Sequence, residues 1–233
     1  HDEEGDFYIK LFCVNPAGNL QACLDKGTAA VFFSATLLPM PYYQKLLSAR
    51  GGEDYSMYAR SPFAPERRLL LLGGDVSSRY TRRTEEEFRK IAAYISEAVK
   101  KRRGNYMVFF PSYRFLQDVQ VIYEREFCGE WERCLSQTPS MGEREREEFL
   151  EAFAEEGEET VIGFCIMGGI FSEGIDLAGE KLVGAVIVGT GLPQVGAERE
   201  ILKNYYDRRG ENGFDYAYRF PGMNKVLQAA GRV

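Results

Sequence analysis

Short, uninterrupted apolar runs alternate along this chain with longer stretches of helical periodicity, and that alternation restricts the fold more than any other feature. The runs are Tyr8–Val14, Ala29–Ser34, Arg68–Leu72, Tyr106–Phe110, Thr160–Met167 and Val183–Gly189. Several lack the polar alternation of a half-exposed strand, as expected where both faces of a sheet are covered. Between them lie helices with readable starts. Thr84 with Glu87 makes a capping-box pattern, and Phe88, Ile91, Ala92, Ile95 and Val99 follow at helical spacing. Ser112 precedes Phe115, Leu116, Val119, Ile122 and Tyr123, which share one helical face. Ser140 with Glu143 marks a third start. Strand and helix in repeated alternation predict an α/β domain, a mostly parallel sheet with helices on both faces. In such folds ligands gather at loops beyond the carboxyl ends of the strands. The segment Leu37–Arg67 is less regular, and Leu192–Asn224, rich in Tyr, Arg and Gly, reads as an insertion.

Composition narrows the function classes. With 233 residues, 45% of them hydrophobic and 27% charged, the chain suits one large globular domain or a domain with a small annex. No run approaches the roughly 18 apolar residues of a membrane helix, and the acidic start lacks the apolar block of a signal peptide. The five cysteines form no CxxC pair, which argues against zinc or iron–sulfur binding in this chain and suits a reducing cytoplasm. A net charge of −6 counts mildly against a nucleic-acid binder, although a strand held between two domains needs only a local positive groove. The glutamate-rich stretch from Glu143 to Glu159 reads as the solvated face of a helix.

Four segments sit where a strand gives out or a helix ends. Ser34-Ala35-Thr36 follows the run ending in Phe33; its hydroxyls can bond a neighbouring domain's carboxylate or a water near a phosphate, or simply cap the helix near Pro39. Ser112-Tyr113-Arg114 follows Tyr106–Phe110 and opens a helix, whose N-terminus suits a phosphate while Tyr113 can stack on a base. The same three residues also fit an ordinary serine cap with an exposed Tyr-Arg pair. Gly168-Gly169 lead into Ser172, Glu173, Gly174 and Asp176, a glycine-rich turn that lacks the Gly-Lys-Ser/Thr ending of a Walker A loop. Gln228 and Arg232, four apart, share a helical face, and Gly231 lets the guanidinium come close to a ligand.

In this order the four segments resemble the motifs of the second RecA-like motor domain in superfamily 2 helicases of the XPD/DinG family. Ser34-Ala35-Thr36 with the following Leu-Leu-Pro resembles motif III, and Phe109–Tyr113 motif IV. Phe171–Asp176 resembles motif V, and Gln228-Ala-Ala-Gly-Arg232 the front of motif VI. The resemblance implies a RecA-like, P-loop NTPase-type α/β fold over residues 1–233, truncated within motif VI just before the family's second arginine. It also implies that the first motor domain, with its Walker A loop and DEAH box, is absent, since neither motif occurs here.

The implied activity is ATP-dependent 5′-to-3′ DNA unwinding, in a DNA-repair setting, by the full-length protein; the isolated fragment is expected to be inactive. ATP and Mg2+ would bind mainly on the first motor, which would also carry an iron–sulfur cluster where a family member has one. Arg232 would be an arginine finger, worth ~1,000- to 100,000-fold in rate, with Gln228 beside it. Gly174, Asp176 and Gly231 would approach the nucleotide, and Ser34, Ala35 and Thr36 would couple nucleotide state to closure. Ser112, Tyr113, Arg114, Ser172 and Glu173 would line a single-stranded DNA path. The implied partners are single-stranded DNA, ATP and the first motor, with no membrane; the fragment is expected to be monomeric and cytoplasmic. Two other classes fit the residues less well. A non-catalytic nucleic-acid-binding or interaction module leaves Arg232 unexplained. A small-molecule enzyme on a doubly wound sheet finds no dinucleotide GxGxxG, and its only histidine is His1.

Overall fold

Parallel pairing of four strands organises the chain, seen in a computed structural model that describes residues 9–50, 53–154, 159–172, 177 and 181–233. The strands are β1 (Tyr106–Phe110), β2 (Glu132–Ser136), β3 (Thr160–Ile166) and β4 (Gly184–Ile187), in the spatial order β2-β3-β1-β4. Every pair is parallel; Tyr106 is in register with Ile162 on one side and Gly184 on the other.

Residue alternation in β1 sends two cores to opposite faces. Tyr106, Val108 and Phe110 pack with Ile162 and Phe164 of β3 under α3 (Glu85–Lys101) and α4 (Tyr113–Glu126). Met107 and Phe109 pack with Val161 and Cys165 under α5 (Glu143–Ala154) and α7 (Phe220–Ala230). The topology explains the split. The chain leaves β1 for the outermost β2 through α4 and comes back to β3 through α5, and right-handed crossovers running in opposite directions place their helices on opposite faces. α5 lies close enough that a Cβ on Gly163 would stand 2.8 Å from the rings of Phe149 and Phe153. At the amino ends of the strands the buried amide of Asn105 donates to the carbonyls of Phe153 and Lys181 and accepts from the N–H of Val161.

The chain divides into two compact units. The sheet unit comprises Phe63–Leu192 and Gly222–Val233; the other comprises His1–Pro62 and Pro193–Pro221. The second unit holds α1 (Ala17–Leu24), α2 (Met40–Leu47), α6 (Ala197–Asp207) and a π-helical turn over Asp215–Arg219. Its centre is aromatic. Tyr206 stacks on Tyr216 at 3.8 Å, and Tyr42 leans on Tyr216 and Phe220, its hydroxyl pushed up to about 12 by burial. The segment read from sequence as an insertion, Leu192–Asn224, supplies the later part of this unit.

Several expectations need correction. Among the described residues, Ile9–Val14, Ala29–Ser34 and Arg68–Leu72 are not strands, and Tyr8 lies outside them. A strand requires a neighbour for its N–H and C=O groups, and these runs meet none in the four-stranded sheet. They are instead exposed, Phe33 at 90% and Leu72 at 88%. Strand β2 went unread because Glu-Arg-Cys-Leu-Ser is a polar, partly exposed edge. Ser140 does not start α5; the Glu145 carboxylate accepts from the N–H of Gly142 at 2.7 Å, just before the helix. The caps at Thr84 and Ser112 form as read, accepting from the N–H groups of Glu87 and Phe115. All five cysteines are free, with Cys165 fully buried and its thiol pushed up by desolvation. No helix among the described residues is long and apolar enough to cross a membrane.

Candidate functional site

The carboxyl ends of β1 and β3 lie side by side, and the chain leaves them toward opposite faces. After β1 it enters α4, above one core; after β3 the turn carries Phe171 down to stack on Phe149 of α5, in the other core, at 4.2 Å. A crevice between strand ends of this kind is where open α/β sheets take ligands. Two of the four motif segments flank it, and a third reaches it from the chain end.

On the β1 side Ser112 is half-buried, and its hydroxyl oxygen accepts the Phe115 N–H at 3.4 Å, which is the capping role the sequence left open. Tyr113 opens the helix. Its hydroxyl accepts from Gln137 Nε2 at 3.2 Å and donates to the carbonyl of Thr138 at 3.4 Å, so the ring is held in one orientation. Arg114 is exposed. The first-turn N–H groups of α4 lack carbonyl partners within the helix, so the helix presents donors and a partial positive charge beside Arg114.

On the β3 side the turn is tight. Gly168 has φ +71°, in the left-handed region that favours glycine. Ser172 is fully buried, and its hydroxyl donates to the carbonyl of Gly169 at 2.8 Å. Its side chain therefore closes the turn, and what it presents outward is its carbonyl. Glu173, Gly174 and Asp176 lie outside the described residues.

That carbonyl is taken by Arg232, whose Nη2 and Nε donate to it at 2.8 and 3.1 Å. Gln228 is half-buried on α7, but the helix ends at Ala230. Gly231 and Arg232 thus form a turn after the helix instead of continuing its face, with the Gly231 N–H bonded to the carbonyl of Leu227 at 2.9 Å. The structure brings Ser112, Tyr113, Ser172 and Arg232 into the sheet unit together. Ser34, Ala35 and Thr36 belong to the other unit. There the Ser34 hydroxyl accepts the Thr36 N–H at 3.2 Å, and α2 begins after Pro39 with no side-chain cap, so neither hydroxyl caps that helix.

Two residues of the site escaped the sequence reading. Gln137, 5% exposed, connects its halves: Nε2 donates to Tyr113, Oε1 accepts the Ile166 N–H at 3.0 Å, and a Cβ on Gly169 would stand 2.8 Å from its amide. Lys225 of α7 lies across the turn, its Cε 3.0 Å and Cδ 3.1 Å from where a Cβ on Gly168 would stand. A lone glutamine and a lone lysine give no local signal. Only their contacts 24 or more positions away reveal them. Lys225 packs into the room that Gly168 leaves and Arg232 donates to the Ser172 carbonyl, so two cations border the turn, groups of the kind that bind phosphate oxygens. No cluster of three or more His, Cys, Asp or Glu fit for a metal occurs among the described residues.

A family model described as the helicase C-terminal domain matches residues 95–233. A Methanocaldococcus jannaschii protein named "Probable ATP-dependent helicase" is 29% identical over 158 residues, a match that spans 64% of this chain and 23% of that protein. Two solved structures of XPD, one named as the helicase and one as the apo form, superpose with TM-scores of 0.53 and 0.52. Their identities are 23% and 22%; the matches cover 69% and 68% of this chain and 28% and 31% of theirs. At that identity the superpositions establish the fold, a RecA-like α/β sheet.

Proposed function

The chain belongs to the helicase C-terminal domain family, and from that premise we propose that it serves as the second motor of an ATP-dependent 5′-to-3′ DNA helicase of the XPD/DinG type. The observation that carries the reading is the double hydrogen bond from Arg232 to Ser172, which joins the glycine turn after β3 to the segment after α7. An arginine finger needs a guanidinium poised beside a phosphate-sized opening. That role is assigned to Arg232, which donates to the Ser172 carbonyl, with Lys225 packed over Gly168 beside it.

In this proposal ATP and Mg2+ bind mainly on a first motor that carries the Walker A loop and acidic box, motifs absent from this sequence. A cluster, where the full protein has one, belongs to that motor as well. Arg232 and Lys225 are the groups of this chain suited to the γ-phosphate, and Gln228, Gly231, Gly174 and Asp176 are assigned to the same cleft. The planar fork of Arg232 can serve the carbonyl of Ser172 or phosphate oxygens, but the same N–H groups cannot do both at full strength. Moving the guanidinium to phosphate therefore loosens the turn after β3, and Ser34, Ala35 and Thr36 are proposed to pass the nucleotide state between motors.

Nucleic acid is assigned to the β1 side. The exposed Arg114 and the first turn of α4 take phosphate, Ser112 caps that turn, and the fixed ring of Tyr113 offers a stacking face. Ser172 contributes by holding the turn, and Glu173 by orienting a neighbouring donor. ATP turnover tests the reading. The purified chain should show no DNA-stimulated hydrolysis, because it contains no GxxxxGK[ST] phosphate cradle. Sustained turnover by the chain alone would overturn the assignment.

A further inference from the structure

At the opposite end of the sheet, the amino ends of β2 and β3, lies a recess lined by Val99, Lys100, Arg103, Gly129, Trp131, Glu132 and Thr160. It is separated from the Ser112 and Gly168 loops by the length of β3, roughly 20 Å at ~3.3 Å per residue. Its volume, about 160 Å3, matches the cavity size that accepts a single six-membered ring.

Three observations give the recess a chemistry. First, Lys100 and Arg103 belong to the run Lys100-Lys-Arg-Arg103, a concentrated positive charge in a chain of net charge −6. Lys101 pairs with Glu97 at 4.0 Å, whereas no carboxylate of the described residues pairs with Lys100 or Arg103. The carboxyl end of α3 favours cations within its last turn and so explains Lys100 and Lys101. It does not explain Arg103, which lies beyond the helix, or an indole beside it. Second, Trp131 is the only tryptophan of the chain, lines the recess and is 58% exposed, so an indole face is available to a ligand there. Its backbone is tied to the sheet: its main-chain carbonyl accepts the Thr160 N–H at 2.8 Å. Third, the one carboxylate at the recess is already engaged, since Glu132 Oε2 accepts from the Tyr123 hydroxyl at 2.7 Å and from the Gly129 N–H at 3.0 Å.

We propose that this recess is a second contact for single-stranded nucleic acid, in which a base stacks on the Trp131 indole and the flanking phosphates pair with Lys100 and Arg103. An acidic peptide would use the two cations but has no need of an exposed indole beside a ring-sized space. Bases have a flat face to offer it, and phosphates the charge. The inference rests on the reading of the full protein as a nucleic-acid motor, but not on the β1-side assignment.

The single tryptophan makes the test direct. The purified chain is titrated with an oligothymidylate of roughly ten nucleotides, within the range one binding surface covers. Trp131 emission should quench on binding. Trp131→Ala should weaken binding of a labelled oligonucleotide roughly five- to hundredfold by anisotropy, and Lys100→Glu with Arg103→Glu should reduce the salt dependence by about 0.7 per lost cation in log K against log salt. All three side chains border solvent, and the wild-type emission readout needs no variant at all. Binding with unchanged emission and no sensitivity to these substitutions removes the recess from the nucleic-acid surface while leaving the motor reading intact. Quenching by polyglutamate but not by the oligonucleotide makes it a docking site for an acidic protein and overturns the proposal. No oligonucleotide binding whatever by the folded chain overturns both the proposal and the nucleic-acid reading.

Discussion

Arg232 closes on the main-chain carbonyl of Ser172, 60 positions earlier, with two nitrogens of one guanidinium on one oxygen. The oxygen is available because Ser172 spends its own hydroxyl and N–H on Gly169, which turns the carbonyl outward from a fully buried residue. A charged fork on a backbone carbonyl makes a strong, directional tie to the turn. The two ends of the sheet unit, the loop after β3 and the segment after α7, are therefore connected through a group that can also bind phosphate.

Gln137 makes a second such connection, and it gives the first prediction. Gln137→Ala removes a donor to Tyr113 and an acceptor for the part-buried Ile166 N–H. Leaving one buried group unpaired costs ~1–3 kcal/mol, so the variant should unfold at lower urea by that amount. Combined with Tyr113→Phe, the losses should fall short of their sum by ~0.5 kcal/mol or more, because both act on one bond. Strict additivity in the double-mutant cycle would show that Gln137 does not hold the ring.

Asn105 is the corresponding fixture at the amino ends of the strands. Asn105→Leu keeps the volume but strands the carbonyls of Phe153 and Lys181 and the Val161 N–H. With three groups affected at ~1–3 kcal/mol each, partly relieved by water, the loss should be at least about 2 kcal/mol. Chemical denaturation measures it, and a loss under about half a kcal/mol, typical of surface changes, is the contrary result.

Glu126 predicts a pH effect. Hydrogen bonds from Arg89 and then Arg125 hold its carboxyl down at about 2, against an ordinary value of 4.5. Because the folded value is the lower one, the contribution is present above pH 4.5 and is lost as pH falls from 4.5 through about 2. A carboxyl NMR titration should give a midpoint near 2, rising toward 4.5 in Arg89→Ala. A midpoint of 4.5 in the parent would mean that the Arg89–Glu126 pair at 2.7 Å does not form in solution.

What could be read in advance was what neighbours in sequence decide. Thr84 and Ser112 cap their helices because a hydroxyl three residues before an N–H needs nothing distant. β1, β3 and β4 were legible as apolar runs because both of their faces are covered. The same signal misled at Ala29–Ser34 and Arg68–Leu72, since a strand depends on a partner that composition cannot supply. β2 stayed hidden for the converse reason, having a partner but little apolar character. In the site, Ser112, Tyr113 and Arg232 were visible as motif residues, whereas Gln137 and Lys225 owe their places to Tyr113 and Gly168, far away along the chain.

The sharpest measurement is single-turnover ATP hydrolysis at saturating DNA by the full-length protein carrying Arg232→Ala. A guanidinium that meets the γ-phosphate only on closure stabilises the transition state more than the ground state. The proposal therefore predicts a kcat lowered ~1,000-fold or more with little change in KM for ATP or in single-strand binding, and poor rescue by lysine, which lacks the planar fork. Turnover by Arg232→Ala at the parent's rate would contradict it and leave Arg232 a structural role at the turn after β3.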